Sequence, residues 1–200
     1  MPTPDALAID IAILLPKTGR ALVAPLNEAL AAPPQGFRFD RTHLPHVTLA
    51  QLLVSRGRLA DMTETVGRVL QDMPPLELTT ASIRKGHTAS SLAVLATPTV
   101  TQLHRRIMAV LAPFECYWGS ISAFHPDEPQ ARPADLNWVT NYRRQASHTH
   151  YDPHITIGIG VSKAIVEPLQ FIATRIAACH LGCFCTCRTR LATWTLTTMA

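Results

Sequence analysis

The chain has 200 residues, of which 47% are hydrophobic and 16% charged, and its formal net charge at pH 7 is +4. This hydrophobic content excludes an intrinsically disordered chain and is enough for a sizeable core. Because 18 Lys and Arg residues stand against 14 Asp and Glu, the charge permits an anionic ligand without the basic excess of a nucleic-acid packaging protein. No apolar run approaches the roughly 18 residues that span a bilayer, and the first residues lack the pattern of a secretory signal. We therefore expect a cytoplasmic protein with no membrane partner.

The first half of the chain predicts strands and helices in alternation. An apolar run near the N-terminus predicts a buried strand, and leucines four residues apart after it predict a helix. Apolar residues at spacings of three and four then predict a second helix, which Pro74-Pro75 ends. In order, the expected elements are a strand over 8–15, a helix over 22–30, a strand over 45–54, a helix over 59–73 and a strand over 76–83.

The second half predicts the same order with different residues, and its first helix begins with a capping threonine followed by proline at Thr97-Pro98. The irregular segment 114–150 is long for a connection in a compact domain, so it is functional, mobile or contains an element of its own. We expect one bilobal domain over residues 1–200, with approximate halves at 8–83 and 90–197. Its later elements are a strand over 90–96, a helix carrying Leu103 to Leu111, a short helix over 137–146, a strand over 153–160, a helix over 162–173, and strands over 175–181 and 191–197.

A short motif occurs twice, as Pro45-His46-Val47-Thr48-Leu49 and as Pro153-His154-Ile155-Thr156-Ile157. Its alternation is typical of a strand with one buried face. Because strand side chains alternate between faces, histidine and threonine point the same way while the apolar residues point to the core. A single His-x-Thr is more often an ordinary surface or core feature, but two copies in the same context indicate a shared site.

Two histidines at one cleft can transfer two protons in concert. A neutral imidazole takes a proton from the nucleophile while an imidazolium gives one to the leaving oxygen, and histidine suits both roles near neutral pH. The hydroxyls of Thr48 and Thr156 can donate to a phosphoryl oxygen whose charge grows in the transition state. The pair of motifs therefore favours in-line displacement at phosphorus without a metal.

The five cysteines are an odd number, which is more typical of free thiols than of a disulfide framework. Cys183, Cys185 and Cys187 alternate, so they would share one face of a strand, with His180 close by. Zinc motifs usually separate paired cysteines by at least two residues. We therefore expect no metal and no other cofactor.

The two motifs resemble the paired signature of the 2H phosphoesterase superfamily, in particular its RNA 2′,5′-ligase-like cyclic phosphodiesterases. The segment Tyr151-Asp152-Pro153-His154-Ile155-Thr156-Ile157-Gly158 resembles the second motif of that group, and the segment from Leu181 to Arg188 is similar to its C-terminal strand region. The resemblance implies an α+β class and a bilobal, pseudo-symmetric, LigT-like fold, with antiparallel sheets lining a central cleft and helices outside.

The same resemblance implies hydrolysis of 2′,3′-cyclic phosphates at RNA ends or on nucleotides, with no obligatory protein partner. The second histidine is commonly the base for water in such enzymes and the first is the acid, which makes His154 the base and His46 the acid. Either order satisfies the residues themselves.

Residues around the motifs are weaker candidates. Tyr151, three residues before His154, could stack on a nucleobase as a substrate contact, or could simply pack in the fold or lie at the surface. The turn with Arg84, Lys85 and His87 could meet a phosphate or simply be solvated. His104-Arg105-Arg106 is expected on the exposed face of a helix.

Three alternatives stay open. The same chemistry could act on 2′,5′-linked oligonucleotides. The cleft could instead bind a nucleotide or an RNA end without turnover. The residues from Cys179 to Cys187 could belong to a metal or redox protein.

Overall fold

A computed structural model of the chain describes residues 5–127 and 129–197. Residues 1–4, Glu128 and residues 198–200, which the expected domain and its irregular segment include, lie outside the described residues. The described parts contain nine strands and four α-helices. These are β1 (Ala6–Leu14), α1 (Lys17–Glu28), β2 (His46–Ser55), α2 (Leu59–Leu70), β3 (Leu76–Lys85), β4 (Ala89–Val94), α3 (Pro98–Leu111), β5 (Glu115–Cys116), α4 (Pro133–Ala146), β6 (His154–Ile159), β7 (Gln170–Ala173), β8 (Arg175–Leu181) and β9 (Cys187–Thr195).

The strands form two antiparallel sheets. One has five strands in the order β5-β2-β1-β8-β9, and the other has four in the order β6-β4-β3-β7. The first motif opens β2 and the second opens β6, so each sheet carries one motif. The fold is α+β, and the expected antiparallel sheets are confirmed.

The sheets do not follow the two halves of the sequence. Strands β8 and β9, from the second half, complete the sheet of β1 and β2, whereas β3, from the first half, lies inside the sheet of β6. The chain crosses from one sheet to the other after each of the helices α2, α3 and α4, and again between β7 and β8. These exchanges tie the two motif strands into one structure.

Strand β1 lies at the centre of the larger sheet, and all nine of its residues are buried. Its large side chains alternate on one face, where Leu7, Ile9, Ile11 and Ile13 join the main core. The other face carries small residues, among them Ala8 and Ala12, and one carboxylate, Asp10. This second face lies on the same side of the sheet as the histidine and threonine of the first motif.

The helices cover the sheets as their patterns predict. The apolar stripe of α2 buries Met62, Val66 and Leu70, and α2 packs against α3. The hydroxyl of Thr97 accepts a hydrogen bond from the Val100 N–H at 3.3 Å, which confirms the predicted cap of α3. Among the described residues, no helix has the length and apolar content needed to cross a membrane.

Helix α1 approaches β6 directly behind the second motif. Gly158 has a φ of +152°, and a Cβ at this position would lie 2.8 Å from the Leu30 Cδ1 atom. Leu30 lies just after the end of α1, and within the helix the Asn27 amide donates to the Ile157 carbonyl at 2.9 Å. Glycine is therefore required here by both the backbone and the close packing.

The helix predicted over 162–173 is wrong. The chain has no regular structure before β7, and Ile165 is 94% exposed. Pro168 cannot donate within a helix, and Leu169 instead exchanges hydrogen bonds with Thr80 at the end of the β3–β7 pairing. Sheet pairing therefore overrides the weak helical spacing of this segment.

Other boundaries differ by a few residues. Helix α4 begins at Pro133, earlier than the expected start at 137, and β9 begins at Cys187 instead of Leu191. Proline at the first helical position suits the early start, because that position needs no backbone donor.

Candidate active site

The two motifs line one cleft with a volume of about 530 Å³. His46 and Thr48 reach it from β2, and His154 and Thr156 reach it from β6. The apolar residues between them point the other way and are fully buried in the core. The predicted strand alternation is confirmed in both motifs. Both imidazoles line one cleft, as the repeated motif predicts.

His46 is fixed by one hydrogen bond and lies in an ion pair. Its Nδ1–H donates to the Leu44 carbonyl at 2.7 Å, and its Nε2 lies 3.5 Å from Oδ2 of Asp10. Burial by itself lowers the pKa of His46, but the Asp10 carboxylate and the Leu44 carbonyl outweigh burial and raise this pKa to about 9. His46 is therefore an imidazolium at neutral pH.

Asp10 is a fully buried carboxylate on the cleft side of β1. Its Oδ2 accepts hydrogen bonds from the Thr48 hydroxyl and the Gln51 amide, both at 2.7 Å, while its Oδ1 has no partner among the described residues. In the sequence this residue only interrupts an apolar strand. A lone carboxylate in such a strand is the signal that could have identified it, because buried charges require partners.

The two motif threonines have different partners. The Thr48 hydroxyl donates its proton to Asp10, so this proton is not available to a phosphoryl group in the observed arrangement. The hydroxyl of Thr156 makes no hydrogen bond to the described residues and lines the cleft. We expected both hydroxyls to donate to a phosphoryl oxygen. In the structure the Thr48 hydroxyl donates to Asp10 instead.

His154 is held through one ring nitrogen. Its Nδ1–H donates to the Asp152 carbonyl at 2.8 Å, and the Asp152 carboxylate pairs with Arg84 from the β3–β4 hairpin. With Nδ1–H so engaged, Nε2 of a neutral imidazole carries the lone pair. The Arg84–Asp152 pair is exposed, and His87, from the turn after β3, lines the cleft.

Tyr151 connects the two motifs. Its hydroxyl donates to the Thr48 carbonyl at 3.0 Å, and its ring stacks on His104 with centroids 3.7 Å apart. Burial raises the pKa of Tyr151, so the hydroxyl stays protonated as a donor. The ring lines the cleft with one of its faces covered by His104.

The predicted exposed position of His104 on α3 is wrong, because this residue is fully buried. Its Nδ1–H donates to the Leu49 carbonyl at 2.7 Å, and its Nε2 accepts the His148 backbone N–H at 2.9 Å. Burial lowers the pKa of His104 to about 4, against the opposing effect of the Leu49 carbonyl. A neutral His104 therefore braces β2 against the segment before the second motif.

Cys183, Cys185 and Cys187 do not lie on one strand, so they do not share a strand face. Residues Cys183–Cys185 form a 3₁₀ turn in which Phe184 and Cys185 have φ values of 59° and 53°, and Cys187 opens β9. All five cysteines are free thiols. The turn places Phe184 at the cleft, where Arg132 lies 4.0 Å above its ring centroid.

One group of described residues brings three potential metal ligands within 4.8 Å of one another: Asp10, His46 and Cys187. Its donors fit a metal poorly. The Asp10 Oδ2 atom already accepts two short hydrogen bonds, and burial raises the pKa of Cys187 well above its usual value, which favours the neutral thiol. We therefore describe the group as an ion pair beside a thiol.

Aromatic side chains line the cleft, which the sequence did not reveal. Trp138 on α4 lines it and is 40% exposed. The other aromatic lining residues besides Tyr151 come from separate parts of the chain, so only the folded chain brings them together. They are Phe37, Phe39, Tyr142 and Phe184, of which Phe37 and Tyr142 are buried.

Comparisons with known proteins agree with this geometry. A family model described as the 2′-5′ RNA ligase superfamily matches residues 21–180. No curated protein matches. Among solved structures, TT0787 of Thermus thermophilus is similar with a TM-score of 0.62 at 13% identity, over 97% of this chain and 100% of that chain. E. coli LigT complexed with NADP⁺ and with 3′-AMP each gives a TM-score of 0.59 at 19% identity, over 96% of this chain and 99% of that chain. The chain therefore belongs to the 2′-5′ RNA ligase superfamily of 2H phosphoesterases, which supports a phosphodiesterase type of activity.

Proposed function

We propose that the protein is a metal-independent cyclic phosphodiesterase that hydrolyses 2′,3′-cyclic phosphates at RNA ends or on nucleotides. The observation that carries this proposal is the pair of imidazoles at one cleft, each with Nδ1–H bound to a backbone carbonyl. The Nε2 atom of each ring is then the one left for proton transfer.

In the proposed reaction, His154 is the base and His46 is the acid. Nε2 of His154 takes a proton from water as the water oxygen forms a bond to phosphorus. The bond from phosphorus to the 2′- or 3′-oxygen breaks, and that oxygen receives the Nε2 proton of His46. The charged state of His46 supports this order, since an acid must hold its proton before the bond breaks.

The threonines take unequal parts in this mechanism. The Thr156 hydroxyl is free to donate to a non-bridging phosphoryl oxygen, whose charge grows in the transition state. Thr48 acts on the same site through Asp10, to which its hydroxyl donates. Imidazolium His46 adds a positive charge next to the phosphoryl group.

The size and lining of the cleft support a nucleotide substrate. Its volume of about 530 Å³ lies in the range of small-molecule sites, and aromatic rings in its lining offer surfaces for a base. We propose Tyr151 as a substrate contact through the ring face that His104 leaves uncovered. The complexes of E. coli LigT with 3′-AMP and NADP⁺ support the same ligand class.

A substrate panel tests this proposal. The purified protein is incubated with 2′,3′-cyclic mononucleotides, a 2′,3′-cyclic phosphate-ended RNA and a 2′,5′-linked dinucleotide in excess chelator, and products are resolved by ³¹P NMR. Hydrolysis of the cyclic phosphates is the expected result. Cleavage of the 2′,5′ linkage alone would show that the enzyme acts on 2′,5′-linked oligonucleotides instead. Saturable binding without any product would establish a binding module.

A further inference from the structure

Asp10 carries a charge in the least accessible part of the site. It is fully buried at the centre of β1, with alanines on either side of it along the same strand face. A buried carboxylate is costly unless it is paired and hydrogen-bonded. Among the ion pairs of the described residues, the partner of Asp10 is His46.

The geometry of this pair leaves His46 able to react. Its Nε2 lies 3.5 Å from Oδ2 of Asp10, which is a longer separation than the 2.7 Å bonds that Thr48 and Gln51 donate to the same oxygen. The carboxylate therefore stabilises the positive charge of His46 without a short hydrogen bond that would hold the Nε2 proton.

The second motif has no such partner among the described residues. The carboxylate next to His154 in the sequence is Asp152, which is exposed and paired with Arg84. His154 meets the backbone carbonyl of this residue instead of its side chain. Two motifs that are alike in sequence thus differ in the acidic partner of their histidine once the chain is folded.

We propose that Asp10 is a positioning residue that holds His46 as an imidazolium and so fixes His46 as the acid and His154 as the base. This inference rests on the proposed phosphodiesterase reaction and deepens it. Thr48 and Gln51 support Asp10 from β2, the strand that also carries His46, so both donors to Asp10 and its ion-pair partner come from one element. When His46 has given up its proton, the adjacent carboxylate favours its return from solvent.

The other titratable groups around His46 leave Asp10 as its main charge partner. Burial raises the pKa of the thiols of Cys185 and Cys187 and of the phenols of Tyr142 and Tyr151, which favours their neutral forms. The remaining groups near His46 are the Cys179 thiol on β8 and the second imidazole, His154, which lines the cleft from the other sheet.

The variant Asp10→Asn tests the proposal because it keeps the shape and removes the charge. The alkaline limb of the kcat/KM profile, measured with a 2′,3′-cyclic nucleotide, should move down by about two pH units. At pH 8.5 the variant should lose about 25-fold in kcat/KM, with a much smaller loss at pH 6. Asp5→Asn is the matched control: Asp5 is an exposed residue just before the same strand, its carboxylate pairs with Arg56, and its removal should leave the profile unchanged.

A direct titration of His46 by NMR gives a second test that needs no turnover. In the unmodified protein His46 should titrate near pH 9, and a value near 6.5 would overturn the proposal, as would an unchanged alkaline limb in folded Asp10→Asn. If the protein hydrolyses no cyclic phosphate, the proposed function fails, and this titration alone decides whether Asp10 holds His46 charged.

Discussion

The hydroxyl of Tyr151 donates to the backbone carbonyl of Thr48 at 3.0 Å, which joins the segment before the second motif to the strand of the first. This bond crosses between the two sheets. The buried His104 ring stacks on the Tyr151 ring, and hydrogen bonds to Leu49 and His148 hold His104 in place. Side chains outside the motifs therefore link the two motif strands.

Tyr151→Phe should weaken this connection. Loss of one half-buried hydrogen bond should lower the free energy of unfolding by about 1 kcal/mol, as measured by urea denaturation. The value of kcat should fall several-fold more than KM changes, because the two imidazoles lose part of their fixed separation. Tyr117→Phe is the control, since Tyr117 is 72% exposed and should show neither effect. Equal behaviour of the two variants would contradict a bracing role.

His104 should make the protein sensitive to acid. Its pKa is lowered to about 4 in the folded state, so the neutral ring contributes stability that is complete above pH 6.5 and is lost as the pH falls towards 4. The loss should amount to about 3 kcal/mol of unfolding free energy over this interval. His104→Asn, which does not titrate, should be less stable at pH 7 but should lose less stability between pH 6.5 and 4.5.

Urea denaturation at several pH values checks this, with the exposed His150→Gln variant as a control that should keep the slope of the unmodified protein. An unaltered slope in His104→Asn would show that another group carries the acid sensitivity.

The contribution of His46 to the unfolding free energy changes with pH in the opposite direction. Because its pKa is raised to about 9, its ion pair with Asp10 contributes stability that is present below pH 6.5 and is lost as the pH rises through 9. The unfolding free energy of the unmodified protein should therefore decline on both sides of a maximum near pH 6.5. In Asp10→Asn the alkaline decline should be smaller, as followed by urea denaturation between pH 6.5 and 9.5.

The two motif threonines should respond differently to valine. Thr156→Val should lower kcat by about 10- to 100-fold with little change in stability, since its hydroxyl is free for the transition state. Thr48→Val should lower the free energy of unfolding by about 1 to 3 kcal/mol, because Asp10 loses a charged hydrogen bond. Steady-state kinetics and urea denaturation separate these effects. A Thr48→Val variant of unchanged stability would contradict the assigned partner.

Trp138 should bind the substrate base. Trp138→Ala should raise KM for a 2′,3′-cyclic nucleotide by about tenfold with a smaller effect on kcat, because stacking on an aromatic ring contributes about 1 to 3 kcal/mol per base. Trp118→Ala is the matched control, since Trp118 is exposed to a similar degree but does not line the cleft. A KM that rises equally in both variants would place the base elsewhere.

The sequence predicted the motif strands well because their information is local. Period-two alternation in a few residues determines which way His46 and His154 point, and proline at 98 and the spacing of Met62 and Val66 mark helices in the same local way. The prediction of a helix over 162–173 was wrong because the backbone of this segment pairs with Thr80, a residue about 90 positions earlier.

The parts of the site that escaped prediction depend on distant contacts. The place of Asp10 in the site depends on the pairing of β2 with β1, which puts Thr48, Gln51 and His46 beside it. His104 lies in a charged stretch of α3, and its burial follows from the packing of Tyr151 against it. No short-range pattern distinguishes such residues from ordinary surface ones.

The most direct test of paired acid–base catalysis is the rate of 2′,3′-cyclic nucleotide hydrolysis in excess chelator by the unmodified protein, His46→Ala and His154→Ala. Paired catalysis predicts hydrolysis that chelator leaves intact, and a loss of about 10²- to 10⁴-fold in kcat for each variant. His125→Gln, which alters a histidine paired with Asp127 outside the cleft, should stay active. Loss of activity on chelation, or full activity in His46→Ala, would contradict metal-independent catalysis by the two histidines.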